Sequence, residues 1–323
     1  MLELLYLSQS DVARTGITVA EIIAAVEEAF LQKGLGRVEM PPKPGIHTRP
    51  DAFIHAMPAY IPALNAAGMK WVAGYPDNHR RGLPYINGLI VLNDPETGLP
   101  LSVMDCTWIT AQRTGAATAV AAKYLARPDL KTVGIIGCGV QGRSNLAALK
   151  ATFPQINRVL AYDVVKANLI RYVNEMSAGC RVEIVEAGHP KAAVEDADIV
   201  VTSGPIHKDP TPVIEAEWLK PGVFACPLDF DSYLTPRAFA SADKLYTDDT
   251  GQQVYYRQVG YFKDTPEPRG DLGEVVAGTK PRRQNEHERI IAINLGVALE
   301  DVAVSAKVYQ RAVAKGIGLR LPL

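Results

Sequence analysis

The chain has 323 residues, enough for two domains at the usual size of roughly 100–200 residues each. Its 34 Lys and Arg nearly balance its 35 Asp and Glu, with no block of like charge, so neither nucleic acid nor a membrane surface is an expected partner. Cys106, Cys138, Cys180 and Cys226 lack any CxxC spacing and the histidines are dispersed, which argues against a disulfide framework and predicts no metal site.

The N-terminus, MLELLYLSQSDVARTG, carries acidic and polar residues where a signal peptide needs a basic start and a continuous apolar core. No apolar run reaches the ~18 residues that span a bilayer, and a cytoplasmic location is expected. TVAEIIAAVEEAFLQKG reads as a helix, and AFIHAMPAY, GMKWVAGYP, INGLIVLND and LPLSVMD read as strands. NDPETGLP places Pro and Gly where a tight reversal needs them, which makes a hairpin. This first part is expected to be an α+β domain with an antiparallel sheet.

DCTWITAQRTGAATAVAAKYLARPD then reads as a long Ala-rich helix stopped by Pro128. Beyond it the strands TVGIIG, RVLAYD, RVEIVE, DIVVTSG, VFACPLD and KLYTDD are interleaved with helices from Gln141, from about Ala167 and near PKAAVEDA. Apolar strands alternating with helices predict βαβ units, hence an α/β fold with a Rossmann-type doubly wound parallel sheet. HERIIAINLGVALEDVAVSAKVYQRAVAKG reads as helical at a 3.6-residue period and as returning to the first domain. The expected division is 1–117 joined by 302–323, and 118–301.

The stretch TVGIIGCGVQGRSNLAAL sets Gly137, Gly139 and Gly142 at GxGxxG spacing, with Val140 and Gln141 between them, directly after a strand and before a helix. There the first glycine turns the chain, the second admits a pyrophosphate against the backbone and the third packs helix on sheet. Such turns also serve as plain connections, so the combination with a distal acid carries the reading. Asp163 ends the next strand about 20 residues further on, where a carboxylate accepts from ribose hydroxyls and repels a phosphate. NAD is therefore favoured over NADP, although Lys166 keeps NADP open and Asp163 also reads as a strand-end turn residue. Thr202, Ser203 and Gly204 end a later strand on the same edge and are expected along the nicotinamide half.

EMPPKPGIHTRP, HAMPAY with GMKWVAGYPDN, WITAQRTGAATA, the glycine-rich segment and GVALEDVAVSAKVYQRA together resemble the ornithine cyclodeaminase/mu-crystallin family over nearly the whole chain. The resemblance implies a first domain that binds substrate and forms a homodimer, and a small amino or imino acid as substrate. It implies that Lys70, in the strand before the PDN loop, and Arg113, at the start of the Ala-rich helix, hold the substrate α-carboxylate; Thr114 beside it joins the cofactor set. A guanidinium grips a carboxylate through parallel bonds, while an ammonium adds a point charge and can also move a proton. On this reading a cofactor-bound crystal has Lys70 and Arg113 facing the nicotinamide, and side chains pointing away from it or buried in pairs with protein acids there would overturn the enzymatic reading.

Lys43 stands where the family usually has a further arginine, with His47 and Arg49 nearby to compensate. Asp229 best matches the acid/base aspartate, with Asp231 as its rival. His55 replaces the glutamate that contacts the side-chain end of the substrate in ornithine cyclodeaminases, and it is a candidate substrate contact. The resulting expectation is an NAD-dependent amino-acid dehydrogenase or imine reductase, with Lys70 and Asp229 catalytic. Two other readings remain: an ornithine cyclodeaminase, and a non-enzymatic dinucleotide-dependent binding protein.

Overall fold

The computed structural model describes residues 2–49 and 51–323. In chain order the first elements are β1 (Glu3–Leu7), α1 (Gln9–Arg14), α2 (Val19–Gly34), β2 (Gly45–Ile46), β3 (Phe53–Ile61), β4 (Ala66–Gly74), β5 (Ile86–Asn93) and β6 (Pro100–Asp105). Then come α3 (Thr107–Leu125), β7 (Thr132–Ile136), α4 (Val140–Thr152), β8 (Arg158–Tyr162), α5 (Lys166–Cys180), β9 (Glu183–Glu186), α6 (Pro190–Val194) and β10 (Ile199–Thr202). The last are β11 (Phe224–Pro227), α7 (Pro236–Ala240), β12 (Lys244–Thr247), α8 (Thr250–Gln258), α9 (Leu272–Ala277), β13 (Ile290–Ile293), α10 (Ala298–Lys315) and β14 (Leu319–Pro322).

Met1–Arg113 with Val297–Leu323 form one unit, and Thr114–Gly296 the other. The chain re-enters the first unit at Val297 rather than at the expected 302, so Glu300 and Asp301 belong there, and the first crossing comes at 113 rather than 117. Among the described residues no helix is long and apolar enough to cross a membrane.

The first unit holds a seven-stranded sheet in the order β14-β1-β6-β5-β4-β3-β2. It is not wholly antiparallel as expected, because β1 pairs with β6 in parallel. The sequence distinguishes these arrangements only where a short hairpin joins the partners, and no such turn links β1 to β6. The alternation of β4 buries Lys70 and Val72 and exposes Trp71, which follows from the period of two in strands. Lys70 is paired in register with Met57 of β3 and Ile90 of β5, both buried. α10 packs against α2 and across β3, β4 and β5.

The second unit holds a parallel sheet in the order β12-β13-β11-β10-β7-β8-β9. β7 lies between β8 and β10, so the strand order reverses there, and ligands of such sheets sit at the carboxyl ends of the strands around that point. The segment 290–293, expected to be helical, is a strand paired with both β11 and β12. A run such as IIAI that is buried on both faces has no periodicity to separate strand from helix, and its β-branched content was the better guide.

Candidate active site

At the carboxyl end of β7 the three glycines have separate roles. Gly137 adopts φ +95°, and a Cβ there would lie 2.8 Å from the Ser203 carbonyl oxygen. A Cβ on Gly142 would come within 2.4 Å of the Gly137 carbonyl oxygen, so this glycine allows the helix to sit close. Gly139 is the N-cap of α4, and a Cβ added to it would meet nothing within 4 Å. Open space over a bare backbone, followed by the first turn of α4 with Val140 and Gln141, is the cradle that a pyrophosphate requires.

The Asp163 carboxylate accepts from the Cys138 amide at 2.8 Å and the Val165 amide at 2.7 Å. It thereby ties the glycine turn to the end of β8. Lys166, which left NADP open, is ion-paired with Glu186 on the surface. Ser203 donates to the Gly137 carbonyl at 2.9 Å, which joins the ends of β7 and β10. Thr114 is buried, and its carbonyl accepts from the Thr118 hydroxyl at 3.4 Å.

Next along the same edge lies Asp229, fully buried. Its two oxygens accept from the Thr202 hydroxyl at 2.7 Å and the Gly204 amide at 2.9 Å. Burial drives its carboxyl up to about 7 against the pull of those two donors, and Asp231 adds to the rise. Asp231 turns elsewhere and accepts from the Phe262 amide at 2.8 Å, so the two candidate aspartates occupy different surroundings. Tyr233, absent from the sequence reading, sets its hydroxyl against Gly204, where a Cβ would lie only 2.1 Å from it. Burial and the carboxylates of Asp229 and Asp163 push this phenol up to about 12.

In the first unit Lys70 and Arg113 are buried, at 1% and 6% exposure. Contrary to expectation, both are paired with acids. Lys70 Nζ lies 2.6 Å from Asp301 Oδ2 and donates to the Thr110 hydroxyl at 3.5 Å. Arg113 donates through Nε to Asp301 Oδ1 at 3.1 Å and through Nη1 to Glu300 Oε2 at 2.6 Å. An ammonium has three donors and a guanidinium five, so pairing with an acid still allows a cation to share a further carboxylate. Burial raises the Glu300 carboxyl, opposed by Arg113. It lowers Lys70, as does Arg113, while Asp301 works in the other direction.

His55 faces the same side of the sheet and stacks on Phe53 at 4.2 Å. Burial and the positive charge of Lys43, His47 and Lys70 hold it down to about 3, so its imidazole is neutral. Lys43 is itself buried, whereas His47 and Arg49 are exposed.

The model of the ornithine cyclodeaminase/mu-crystallin family matches residues 3–316. The chain belongs to that family. An alanine dehydrogenase of Archaeoglobus fulgidus is 35% identical over 99% of this chain and 98% of its own. The structure of a Thermococcus litoralis Δ1-pyrroline-2-carboxylate reductase in complex with NADH and L-proline superposes with a TM-score of 0.87 at 34% identity, covering 98% of this chain and 99% of that one. An archaeal alanine dehydrogenase dimer with bound NAD superposes at 0.88, with 34% identity and complete coverage of both chains. GVALEDVAVSAKVYQRA, one of the segments that carry the resemblance, holds two acids for which the sequence reading has no role. Their signal was present: adjacent Glu300 and Asp301 stand among Val297, Ala298, Leu299, Val302 and Ala303, and charges within an apolar run must be paired.

The open space over Gly139 sets a test. Gly139→Ala is expected to lower stability by no more than about 1 kcal/mol, the cost of a poorer N-cap. Its affinity for NADH, measured by fluorescence titration, should fall about tenfold or more, since the methyl occupies the phosphate cradle. Unchanged affinity would remove the dinucleotide from this turn.

Proposed function

We propose that the chain is an NAD(H)-dependent oxidoreductase acting at the Cα–N bond of a small amino or imino acid. Its membership of a family with alanine dehydrogenase and pyrroline-2-carboxylate reductase relatives supports the reaction class. The observation that carries the reading is Asp229, a buried carboxyl brought to about 7 beside Thr202 and Gly204, on the strand edge that carries the glycine turn. An acid/base group works best when its pKa is near the working pH.

NAD, when bound, supplies or accepts the hydride. The residues of the chain do the rest. Gly137, Gly139, Val140, Gln141 and Gly142 cradle the phosphates, and Asp163 accepts from the adenosine ribose. Thr202, Ser203, Gly204 and Thr114 line the remainder of the cofactor. Lys70 and Arg113 hold the substrate carboxylate, and Lys43 adds positive charge. In oxidation Asp229 takes the proton from the substrate amine or orients the water that attacks the resulting imine, and in imine reduction it returns a proton to the nitrogen.

His55 separates this reading from ornithine cyclodeamination. Closing the ring requires a distal amine positioned for attack on the imine, which a carboxylate does better than the imidazole of His55, held neutral by burial and by the charge of Lys43, His47 and Lys70. A homodimer through the first unit is part of the proposal. Trp71 and Leu89, paired in register on the sheet face opposite Lys70, are each 43% exposed, and an archaeal relative is a dimer.

NADH absorbance with amino acids on one side, and with keto acids plus ammonia or methylamine on the other, tests the reaction. Ornithine converted to proline and ammonia without NADH accumulation would transfer the chain to the cyclodeaminases. NADH binding without any turnover would leave only a binding protein. In amino-acid oxidation kcat/KM should rise with unit slope below pH about 7, where Asp229 is protonated, and level off above it. Asp229→Asn should lower kcat by about 10²–10⁴-fold, the usual range for an acid/base group. For assembly, Trp71→Glu should halve the mass measured by sedimentation; an unaltered mass would place the interface elsewhere.

A further inference from the structure

Four ionisable side chains of the first unit form one buried constellation, and two of them, Glu300 and Asp301, have no part in holding substrate on the reading above. Their location is informative. Both stand in the first turn of α10, at 0% exposure, where the helix dipole favours negative charge. Asp301 touches both cations: Oδ2 lies 2.6 Å from Lys70 Nζ, and Oδ1 accepts from Arg113 Nε at 3.1 Å. One carboxylate thus joins β4, α3 and α10. Glu300 contacts Arg113 through Nη1.

Stability does not explain such a set. Removing ions from water costs about as much as their attraction returns, and apolar replacements of similar volume are often neutral or stabilising. What a shared acid does provide is direction, because a lysine side chain has many rotamers and a cation held by a rigid helix loses most of them before substrate arrives.

We propose that Asp301 is the positioning residue of the carboxylate site, aligning Lys70 and Arg113 and keeping Lys70 charged. Glu300 is the second holder of Arg113. The inference rests on the reading that these cations bind the substrate carboxylate. The groups facing Lys70 include His55 from β3, Cys106 at the end of β6, Thr110 and Arg113 from α3, and Glu300 and Asp301 from α10. Of these, Arg113 favours the neutral amine, while Asp301, and Cys106 when it is a thiolate, favour the ammonium. His55 is neutral and the Cys106 thiol is raised to about 11, so neither replaces the charge of Asp301 near neutral pH.

The sign follows directly. Lysine is charged below its pKa; without Asp301 that pKa falls, and carboxylate binding fails at a lower pH than in the parent enzyme. In Asp301→Asn the KM for the carboxylate substrate should rise about tenfold or more, as expected for a lost charged hydrogen bond. The alkaline limb of kcat/KM should move down by about one pH unit or more, while NADH affinity stays unchanged. A melting temperature that falls while KM and the limb stay at parental values overturns the proposal. If Asp301→Asn does not fold, Asp301→Glu answers the same question: its retained charge leaves the limb in place while the longer arm raises KM, and an unaltered KM overturns it. Lys70→Gln separates the two levels. A raised KM there with a parental Asp301→Asn sinks only this inference, whereas a parental KM in Lys70→Gln sinks the carboxylate reading with it.

Discussion

An ammonium sits in the apolar inner row of a sheet, between Met57 and Ile90, at 1% exposure. Asp301, 2.6 Å away, offsets the burial of that charge; an unpaired charge there would cost several kcal/mol. Much of the first unit follows from this constraint. Asp301 must come from an element that crosses the same sheet face, and α10, which packs across β3, β4 and β5, is that element. The return of the chain to the first unit at Val297 therefore delivers counter-ions as well as a covering helix.

The second unit meets a comparable constraint by different means. Asp229 is as deeply buried as Lys70, but it has neutral donors, the Thr202 hydroxyl and the Gly204 amide, in place of an opposite charge. Dipoles compensate a carboxylate only partly in a low-dielectric setting, and its carboxyl is left near 7 rather than depressed. Asp198, in the same unit, shows the contrast. Burial would raise it too, but the amides of Lys131 and Thr132 together with Lys220 hold it below the ordinary range. Partner chemistry thus separates a carboxylate that remains ionised from one poised to exchange a proton.

How far the sequence was legible varied with the range of the signal. The glycine turn, the strand that feeds it and the acid at 163 are local; Gly137 and Gly142 turn the chain and let the helix sit close as backbone geometry requires, and Asp163 stands at the end of β8 and holds the turn through the Cys138 amide. The parallel pairing of β1 with β6 and the strand at 290–293 are non-local: the first depends on which strands meet, the second on burial on both faces, and neither leaves a period in the residues. Lys70 and Arg113 came to attention through the family resemblance, Lys70 also as a charge flanked by Met69 and Trp71. Their partners, more than 180 positions further along the chain, are the same kind of signal seen from the other side. Within the apolar stretch VALEDVAV the two acids had to be satisfied, and in the structure Lys70 and Arg113 satisfy them.

That reciprocity changes what pairing with acids implies about Lys70 and Arg113. A cation exposed to solvent would bind a carboxylate weakly, because water competes and the side chain must be ordered on binding. A buried cation without any acid would lose its charge, as burial and Arg113 both push Lys70 toward the neutral amine. Between these limits, an acid that shares the cation keeps the ammonium protonated and oriented, while its remaining donors are directed by the same bond. On the proposed reading, pairing with Asp301 is the condition under which Lys70 serves as a buried anion anchor, with burial, charge and placement met by one helix turn.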